Sequence, residues 1–410
     1  MSGAWSATSR LCGPVWRELL VRAIFECGKW DVHQGDGPVL APYALVLAPA
    51  HWARVAEIAE RLAAEAIEIE RELLVRPDLH SELGLPRSIR AVLRKIPRHW
   101  AARGARVMRF DFHLTAEGWR ISEVNSDVPG GFIESSGFSE LLGACFPGLI
   151  PAGNPSRAYA EAIRRSAGSG AHIALVHATG YSDDRQVMEY LARHLRALGL
   201  RATLLSPSHL RFDGRRPEIQ CRFASGNPDG IVRFFPAEWL PKLGRRQRWA
   251  GFFASDTIAL SNPATALLLQ TKRMPLVWDC LASPVAAWRA WLPQVSHPSG
   301  IPESEREEWV LKPALGRVGE SVAIAGVTAP REFQRIVRLA RRRPSAYAAQ
   351  RRFRAAAVET PDGPRYPCLG VFTVDGRTAG CYGRVSPKPL TDGEAQDVAV
   401  LIESGNRNAT

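Results

Sequence analysis

The segment RFDFHLTAEGWRISEVNSDVPGG, residues 109–131, alternates like a β-hairpin but carries charges where a core strand would carry apolar residues. Gly118 suits the left-handed position that ends a three-residue turn, so we predict a turn at residues 116–118. Counting back from this turn sets the register of the two strands. The predicted pairs are Arg109 with Asn125, Asp111 with Glu123, His113 with Ile121, and Thr115 with Trp119.

One face of this predicted hairpin holds two carboxylates directly opposite each other, which is unfavourable unless a cation lies between them. Phe110 and Phe112 fall on the opposite face, which is the core face. Carboxylate and amide oxygens are ligands that Mg²⁺ and Mn²⁺ prefer, so we predict Asp111, Glu123 and Asn125 as metal ligands. The alternative is a solvated face with an Arg–carboxylate pair, and a register shift of one residue would remove the site.

A second pattern, WVLKPALGRVGESVAI at residues 309–324, is typical of a phosphate-binding loop. Lys312 ends an apolar strand and is followed by Gly316, Arg317 and Gly319, after which we expect a second strand. Small residues let backbone N–H groups approach phosphate oxygens, and a lysine adds a positive charge. It is not a Walker loop, because Pro313 follows the lysine directly and no helix follows the loop. A surface hairpin with a glycine turn is the alternative.

Composition narrows the class of protein. The 410 residues are 46% hydrophobic and 23% charged, typical of a soluble globular chain of two or three domains. No run reaches 18 apolar residues and no basic-then-apolar leader is present, so we expect a cytoplasmic protein without a membrane partner. The net charge of +12 permits an anionic partner, but the basic residues are scattered, which does not favour nucleic acid. Seven cysteines without a CxxC pair indicate neither zinc nor disulfides.

The order of predicted elements gives an α+β chain. Residues 1–105 are expected to be mainly helical, with a long amphipathic helix over 52–75, and residues 106–150 to form the hairpin and a substrate loop. Residues 151–260 would contain a βαβ unit with strands at 171–178 and 201–206, and a helix capped by Ser182–Asp183–Asp184. Residues 261–410 would begin with a helix over 261–281 that carries Lys272. Strands, a helix over 330–343 and a hairpin around Asp375–Gly376 would follow.

Several of these segments resemble a known family in both their sequence motifs and the order of those motifs. RFDF…ISEVNSDVPGG, SNPATALLLQTK, WVLKPALGRVGE, YAAQ and AGCYGRVS are similar to the synthetase domain of glutathionylspermidine synthase, over about residues 105–390. The resemblance implies an ATP-grasp fold in that family's permuted order, with the metal-binding hairpin before the nucleotide-binding lysines. Residues 151–260 would then be a pre-ATP-grasp-like domain and residues 261–410 the nucleotide-binding region.

The activity that the resemblance implies is ATP-dependent, ADP-forming ligation of a small-molecule or peptide carboxylate to an amine through an acyl phosphate. ATP and Mg²⁺, or Mn²⁺ in its place, would be required. The amidase domain of the bifunctional family member is not in this sequence, so hydrolysis of the product is not expected. The alternatives are an ATP-binding regulatory protein on the same fold without turnover and, less favoured, a basic nucleic-acid-binding protein.

The resemblance also implies roles for individual residues. Arg384 could instead pair with a surface carboxylate, Gln350 could be an ordinary strand-end amide, and Lys272 could be a helix-surface lysine. The implied roles are Mg·ATP coordination by Asp111, Glu123 and Asn125; stabilisation of the intermediate by Arg109; approach to the reaction centre by Arg384; contact with the nucleotide phosphates by Lys272 and Lys312; a lid at Gly316, Arg317 and Gly319; and a position near adenine for Gln350.

Overall fold

The computed structural model describes residues 3–35, 37–214, 216–244, 248–255, 257–316 and 319–404. Its α-helices within these ranges are α1 (Gly13–Phe25), α2 (Pro49–Val75), α3 (Arg87–Leu93), α4 (Ser139–Gly143), α5 (Pro155–Ala167), α6 (Ser182–Ala197), α7 (Leu267–Gln270), α8 (Ala286–Trp291) and α9 (Pro330–Arg342).

The β-strands of the same ranges are β1 (Trp5–Ala7), β2 (His33–Gln34), β3 (Gly37–Pro38), β4 (Leu40–Leu47), β5 (Val107–Thr115), β6 (Gly118–Asn125), β7 (Leu149–Pro151), β8 (His172–His177), β9 (Arg201–Leu205), β10 (Leu210–Asp213), β11 (Arg216–Cys221), β12 (Ala224–Gly226), β13 (Gly230–Phe234), β14 (Ala259–Ser261), β15 (Val295–Ser296), β16 (Trp309–Pro313), β17 (Tyr347–Arg351), β18 (Val358–Thr360), β19 (Gly363–Val374), β20 (Arg377–Ser386) and β21 (Gln396–Glu403).

Nine of the described strands form one mixed sheet from distant parts of the sequence. Its order is β1-β4-β21-β20-β19-β5-β6, with β18 added beside β19 and β7 beside β21. β4 and β21 run parallel, while the hairpin β5–β6 joins the sheet through an antiparallel pair with β19. The expected α+β class is therefore confirmed, and the sheet brings the hairpin beside the last strands of the chain.

Helix α2 covers this sheet, and its apolar stripe explains why it forms. Residues spaced three or four apart, such as Leu62, Ala66 and Ile69, are fully buried, as the amphipathic pattern requires. The helix predicted over 52–75 is confirmed and begins earlier, because Pro49 suits the first helical position. The region that holds it also contributes β1 and β4 to the large sheet. The predicted division into four regions stays a prediction.

The predicted βαβ unit is β8-α6-β9, part of a parallel sheet of order β14-β13-β8-β9. Gly199, at φ +79°, follows the end of α6 as expected. The helix begins at Ser182, and its N-cap residue is Tyr181, so the predicted cap was wrong. Asp183 and Asp184 instead lie in the first helical turn, where carboxylates favour the positive end of the helix dipole.

The segment 261–281 was expected to be one helix and is not. It is divided into short helical turns, with α7 ending at Gln270 and a 3₁₀ helix at Met274–Cys280. Thr271 between them is extended, and its hydroxyl donates to the carbonyl of Leu83 at 2.8 Å. Pro275 cannot supply the N–H that a continuous helix would use. Lys272 therefore lies in a turn.

A small antiparallel sheet of order β15-β17-β16 is packed against α9. Ile336, Val337 and Ala340 of α9 cluster with Leu311 and Ala349 of the sheet. The expected strand after the glycine loop reduces to an isolated bridge between residues 311 and 323. No helix in the described ranges is long and apolar enough to span a membrane.

Candidate active site

A cavity of about 1150 Å³ lies between the hairpin, the small sheet, the loops that follow β8 and β13, and the strands β20 and β21. It exceeds the roughly 300–1,000 Å³ of an ordinary small-molecule pocket. Arg317 lies outside the described residues. The other predicted site residues all line this cavity: Arg109, Asp111, Glu123, Asn125, Lys272, Lys312, Gly316, Gly319, Gln350 and Arg384.

The base of the hairpin has the predicted register, with Asp111 opposite Glu123 and Arg109 opposite Asn125. Its tip does not, because the strands turn over two residues and pair Thr115 with Gly118.

A β-bulge accounts for the difference between the two ends of the hairpin. The register shifts by one residue between Asp111 and Phe112, so that Phe112 pairs with Ile121 and Leu114 with Trp119. Trp119 and Ile121 are thereby buried in the core, whereas the predicted register placed them on the same face as the carboxylates. The predicted pairs of His113 with Ile121 and Thr115 with Trp119 were wrong, because burying two large apolar side chains outweighs regular alternation.

Asp111 is the centre of a hydrogen-bonded group on the base of the hairpin. Its carboxylate accepts Nε and Nη2 of Arg109 at 2.8 and 3.0 Å, and Nδ2 of Asn125 at 3.0 Å. Arg109 also donates to the carbonyl of Gly130 at 2.7 Å. Burial lowers the pKa of Arg109, but Asp111 more than compensates and holds it above its usual value. The guanidinium therefore stays charged and fixed in orientation.

Two neighbouring residues constrain the position of the Arg109 side chain. Its guanidinium carbon is 5.0 Å from the ring centre of Tyr382, at the distance of a cation–π contact. On the adjacent strand, a Cβ at Gly370 would approach Cδ of Arg109 to 2.7 Å. This close approach requires glycine at position 370.

Glu123 faces the two lysines of the cavity. Lys272 Nζ is 3.0 Å from its Oε2 and donates to the carbonyl of Gly316 at 2.9 Å. Burial raises the pKa of Glu123, but Lys272 and Lys312 outweigh it and lower that pKa to about 2. Burial, and secondarily Lys272, lowers the pKa of Lys312 to about 8, although Glu123 opposes this. Glu123 is thus ionised at neutral pH, while Lys312 is close to losing its proton.

Ser122, the residue left unpaired at the bulge, joins the small sheet to the hairpin through its carbonyl. This oxygen accepts hydrogen bonds from Nζ of Lys312 at 3.2 Å and from Nε2 of Gln350 at 3.3 Å. The neighbouring His113 ring lies 3.1 Å from the Ser122 hydroxyl, and burial lowers the pKa of His113 to about 4. The predicted nucleotide-side residues Lys312 and Gln350 are therefore in direct contact with the hairpin.

Arg384 and Gly319 lie toward the end of the cavity formed by residues 391–397. Arg384 donates to the carbonyls of Asp392 and Ala395 at 2.8 and 3.2 Å, and its Nε is 3.7 Å from Asp397. Its carboxylate partner is buried, so the alternative of a surface pair does not hold. Gly319 has φ +66°, and a Cβ there would meet the carbonyl of Thr391 at 2.6 Å. Gly319 thus packs closely against this segment.

The donor set of the hairpin fits a hard divalent cation. Within the described residues no cluster of three or more His, Cys, Asp or Glu could hold a metal ion. The predicted set has two carboxylates and one amide, and at least Glu123 is ionised. Asn125 uses its nitrogen toward Asp111, which leaves its amide oxygen as the atom that would bind metal. An ion at this position would compete with Lys272 for Glu123.

Sequence reasoning missed a second group of charged residues at the far end of the cavity. Lys29, Asp31, Glu134 and Asp397 line it together, although they come from distant parts of the sequence. Tyr382 connects them to the hairpin, because its hydroxyl donates to Asp397 at 2.6 Å. These four residues share no local sequence motif, so the sequence alone could not identify them as a group.

The fold and the site define an α+β protein in which cations and oxygen ligands converge in one large cavity. A family model described as glutathionylspermidine synthase preATP-grasp matches residues 29–403, and the chain belongs to this family. The resemblance seen in the sequence is therefore confirmed.

One solved structure supports the fold. It is described as a glutathione synthetase-like effector (GSS30) from Globodera pallida in its apo form. It is 13% identical, covers 95% of this chain and 99% of its own, and has a TM-score of 0.60. A putative gamma-glutamylcysteine synthetase from Methylobacillus flagellatus KT is 12% identical over 78% and 82% of the two chains, with a TM-score of 0.41. No curated protein matches the chain.

Proposed function

We propose that this chain is an ATP-dependent, ADP-forming carboxylate–amine ligase with a permuted ATP-grasp fold. One observation carries the proposal: Lys272 and Lys312 lie beside the oxygen ligands Asp111, Glu123 and Asn125 in one large cavity. Phosphoryl transfer needs cations around the transferring group and an oxygen-ligated metal, and little else from the protein. Membership of the glutathionylspermidine synthase family supports the same chemistry.

The proposed reaction has two steps. A substrate carboxylate oxygen attacks the γ-phosphorus of ATP, the bond to the β-phosphate oxygen breaks, and an acyl phosphate and ADP form. The nitrogen of an amine then attacks the acyl carbon and loses a proton, and inorganic phosphate leaves with its bonding pair. The acid would be a small molecule or a peptide. No side-chain nucleophile is needed for either step.

The phosphate end of the cavity would be formed by the two lysines and the glycine loop. Lys312 and Lys272 would balance the charge of the transferring phosphoryl group, with Lys272 moving from Glu123 to the phosphate. Mg²⁺ or Mn²⁺, when bound, would supply positive charge to the phosphate oxygens. Asp111, Glu123 and Asn125 would hold that ion. Gly316, Arg317 and Gly319 would cover the phosphates, and Gln350 would lie near the adenine.

Arg109 would act in the second step. The tetrahedral intermediate carries an oxyanion, and a preorganised cation stabilises such a charge without reorganising at the moment of reaction. Arg109 meets this requirement, because Asp111, Gly130 and Tyr382 fix its guanidinium at the cavity wall. Arg384, held by the carbonyls of Asp392 and Ala395, would assist Arg109.

An ADP-release screen over pools of acids and amines tests the proposal. With an active pair, Asp111→Asn and Glu123→Gln should each lower Mg²⁺-dependent ADP release by about 10²–10³-fold while circular dichroism stays unchanged. Asp279→Asn is the matched control, because this carboxylate is exposed and pairs with Arg289 away from the cavity. Full ADP release in both site variants would exclude the proposed metal ligands. ATP binding without ADP release for any pair would favour a silent regulatory protein.

A further inference from the structure

The far end of the cavity holds a lysine surrounded by carboxylates. Lys29 Nζ is 3.0 Å from Asp31 Oδ1, 2.5 Å from Glu134 Oε1 and 3.6 Å from Asp397 Oδ2. The Lys29 side chain is only 4% exposed, yet all four residues line the cavity. Burying an ammonium is costly without paired charges, so this lysine is held in place by its partners.

The charges of this cluster do not balance with Lys29 alone. One ammonium faces three carboxylates, and Arg384 adds a weaker contact with Asp397 at 3.7 Å. Oε2 of Glu134 is buried and has no hydrogen-bond partner within the described part of the chain. Burial, together with the nearby Asp397, raises the pKa of Glu134 despite Lys29. Without Lys29, three carboxyl groups would face one another, and such an arrangement takes up either a proton or another cation.

The cluster is close to the proposed reaction centre. Tyr382 donates its hydroxyl to Asp397 at 2.6 Å, and the same ring lies 5.0 Å from the guanidinium carbon of Arg109. One tyrosine ring therefore separates the arginine that would face the acyl carbon from the carboxylates around Lys29. A substrate that extends past Arg109 would meet these carboxylates next.

We propose that Lys29 determines which amines this protein accepts: its ammonium fills the cation position at the far end of the cavity, so the second ammonium of a diamine is excluded. This inference rests on the proposed ligase function. The accepted amine has one basic nitrogen, the reacting one, and its remainder is uncharged. A merely structural lysine would join the three carboxylate-bearing segments but would not select among amines.

Binding tests the proposal without turnover. Lys29→Met keeps a four-atom apolar side chain and removes the ammonium group, whereas Lys29→Arg keeps the charge. The melting temperature is measured with n-butylamine and with 1,4-diaminobutane, in the absence of nucleotide. Lys29→Met should be stabilised by the diamine at concentrations at least about tenfold lower than by the monoamine, because one ammonium replaces that of Lys29. Wild type and Lys29→Arg should show no such preference. Equal responses in all three proteins would overturn the proposal.

Turnover gives a second readout. With the acid that supports ADP release in wild type, the rate ratio of diamine to monoamine should rise at least about tenfold in Lys29→Met. An unchanged ratio would overturn the proposal. If no acid and amine pair releases ADP, but the melting-temperature preference is present, the ligase function fails while the role of Lys29 stands.

If Lys29→Met does not fold, a double variant keeps the proposal testable. Lys29→Met combined with Glu134→Gln removes one of the uncompensated carboxylates and keeps Asp31 and Asp397. This double variant should show the same diamine preference in both measurements. Absence of the preference in a folded double variant would count against Lys29 as the selecting residue.

Discussion

Two carboxylate–cation pairs near the hairpin differ in how completely they are enclosed. Asp127 lies in the loop after the hairpin and Arg233 lies on β13. Both side chains have 0% exposure. Arg233 also donates to the carbonyls of Asn262 and Phe235 at 3.1 and 2.5 Å, and Asp127 accepts the backbone N–H of Ala237 at 3.0 Å. All sides of this pair are occupied by protein.

The pair of Lys272 and Glu123 is arranged differently. The Glu123 side chain is 26% exposed, and Lys272 is 9% exposed, and both line the cavity. Within the described part of the chain, the nearby Lys312 donates to one carbonyl, that of Ser122, and its pKa is lowered to about 8, chiefly by burial. Closed pairs hold segments together, whereas open pairs can exchange a protein partner for a ligand. The predictions below test this distinction.

The largest effect is expected from opening the closed pair. Arg233→Met leaves Asp127 buried without its cation, and removal of one partner from a buried pair costs about 3–5 kcal/mol. We expect the free energy of unfolding from urea denaturation to fall by this amount. Arg233 also joins the 127 loop to residues 235 and 262, so the lost bonds affect the wall of the cavity.

The control for this prediction is Arg248→Met, because Arg248 forms an exposed pair with Asp213 and such pairs contribute little. Glu123→Gln should also change stability much less than Arg233→Met, since its site is open to water. If Arg233→Met and Glu123→Gln destabilised the protein equally, enclosure would not separate the two kinds of pair.

The next effect concerns turnover rather than stability. Arg109→Ala should lower turnover by about 10²–10³-fold while the dissociation constant for ATP changes little, because its proposed role belongs to the second step. Arg109→Lys should restore only part of the activity, since lysine cannot reproduce the two-point contact with Asp111 or the stacking on Tyr382. A loss confined to ATP affinity would contradict the oxyanion role.

A smaller loss is expected when Arg109 is displaced rather than removed. Gly370→Ala places a methyl group 2.7 Å from Cδ of Arg109, so the guanidinium must shift. A misplacement of about 1 Å can cost up to about 10²-fold in rate, and we expect a fall of about ten to a hundredfold in turnover. Gly300→Ala is a control with the same change outside the cavity lining, where a Cβ would meet only the Ser296 hydroxyl at an ordinary 3.7 Å. Normal turnover in Gly370→Ala would show that the position of Arg109 is not critical.

The hairpin shows what could be predicted from sequence and why the rest could not. Asp111 and Glu123 were correctly paired, but from a three-residue turn that does not exist. The real turn is one residue shorter and the bulge adds one residue, so the two errors cancel at the base. Whether a strand bulges depends on which side chains the core accepts, here Trp119 and Ile121, and that is a tertiary property.

Long periodic elements were predictable, and contacts between distant segments were not. The pattern of α2 and of the βαβ unit is local and repeats over many residues. The turn at Lys272 depends on a hydrogen bond from its backbone to Ala314, 42 residues away. The group around Lys29 joins positions 29, 134 and 397, which no spacing rule connects. The sequence therefore indicated the hairpin and lysine end of the cavity but not its far end.

The smallest expected effect is a change of ATP affinity with pH, which tests whether the Lys312 site is open to a ligand. Burial lowers the pKa of Lys312 to about 8, so this lysine loses its proton as the pH rises above that value. A phosphate bound beside it would favour the charged form, which means that the affinity for ATP should fall above pH 8, by at most about tenfold per pH unit. Calorimetric titration with ATP in EDTA between pH 7 and about 9.5 measures this fall without a metal ion.

The control variant Lys312→Arg stays charged throughout this range and should remove the pH dependence. A wild-type affinity that is flat over this range, or the same slope in Lys312→Arg, would mean that Lys312 does not contact the nucleotide.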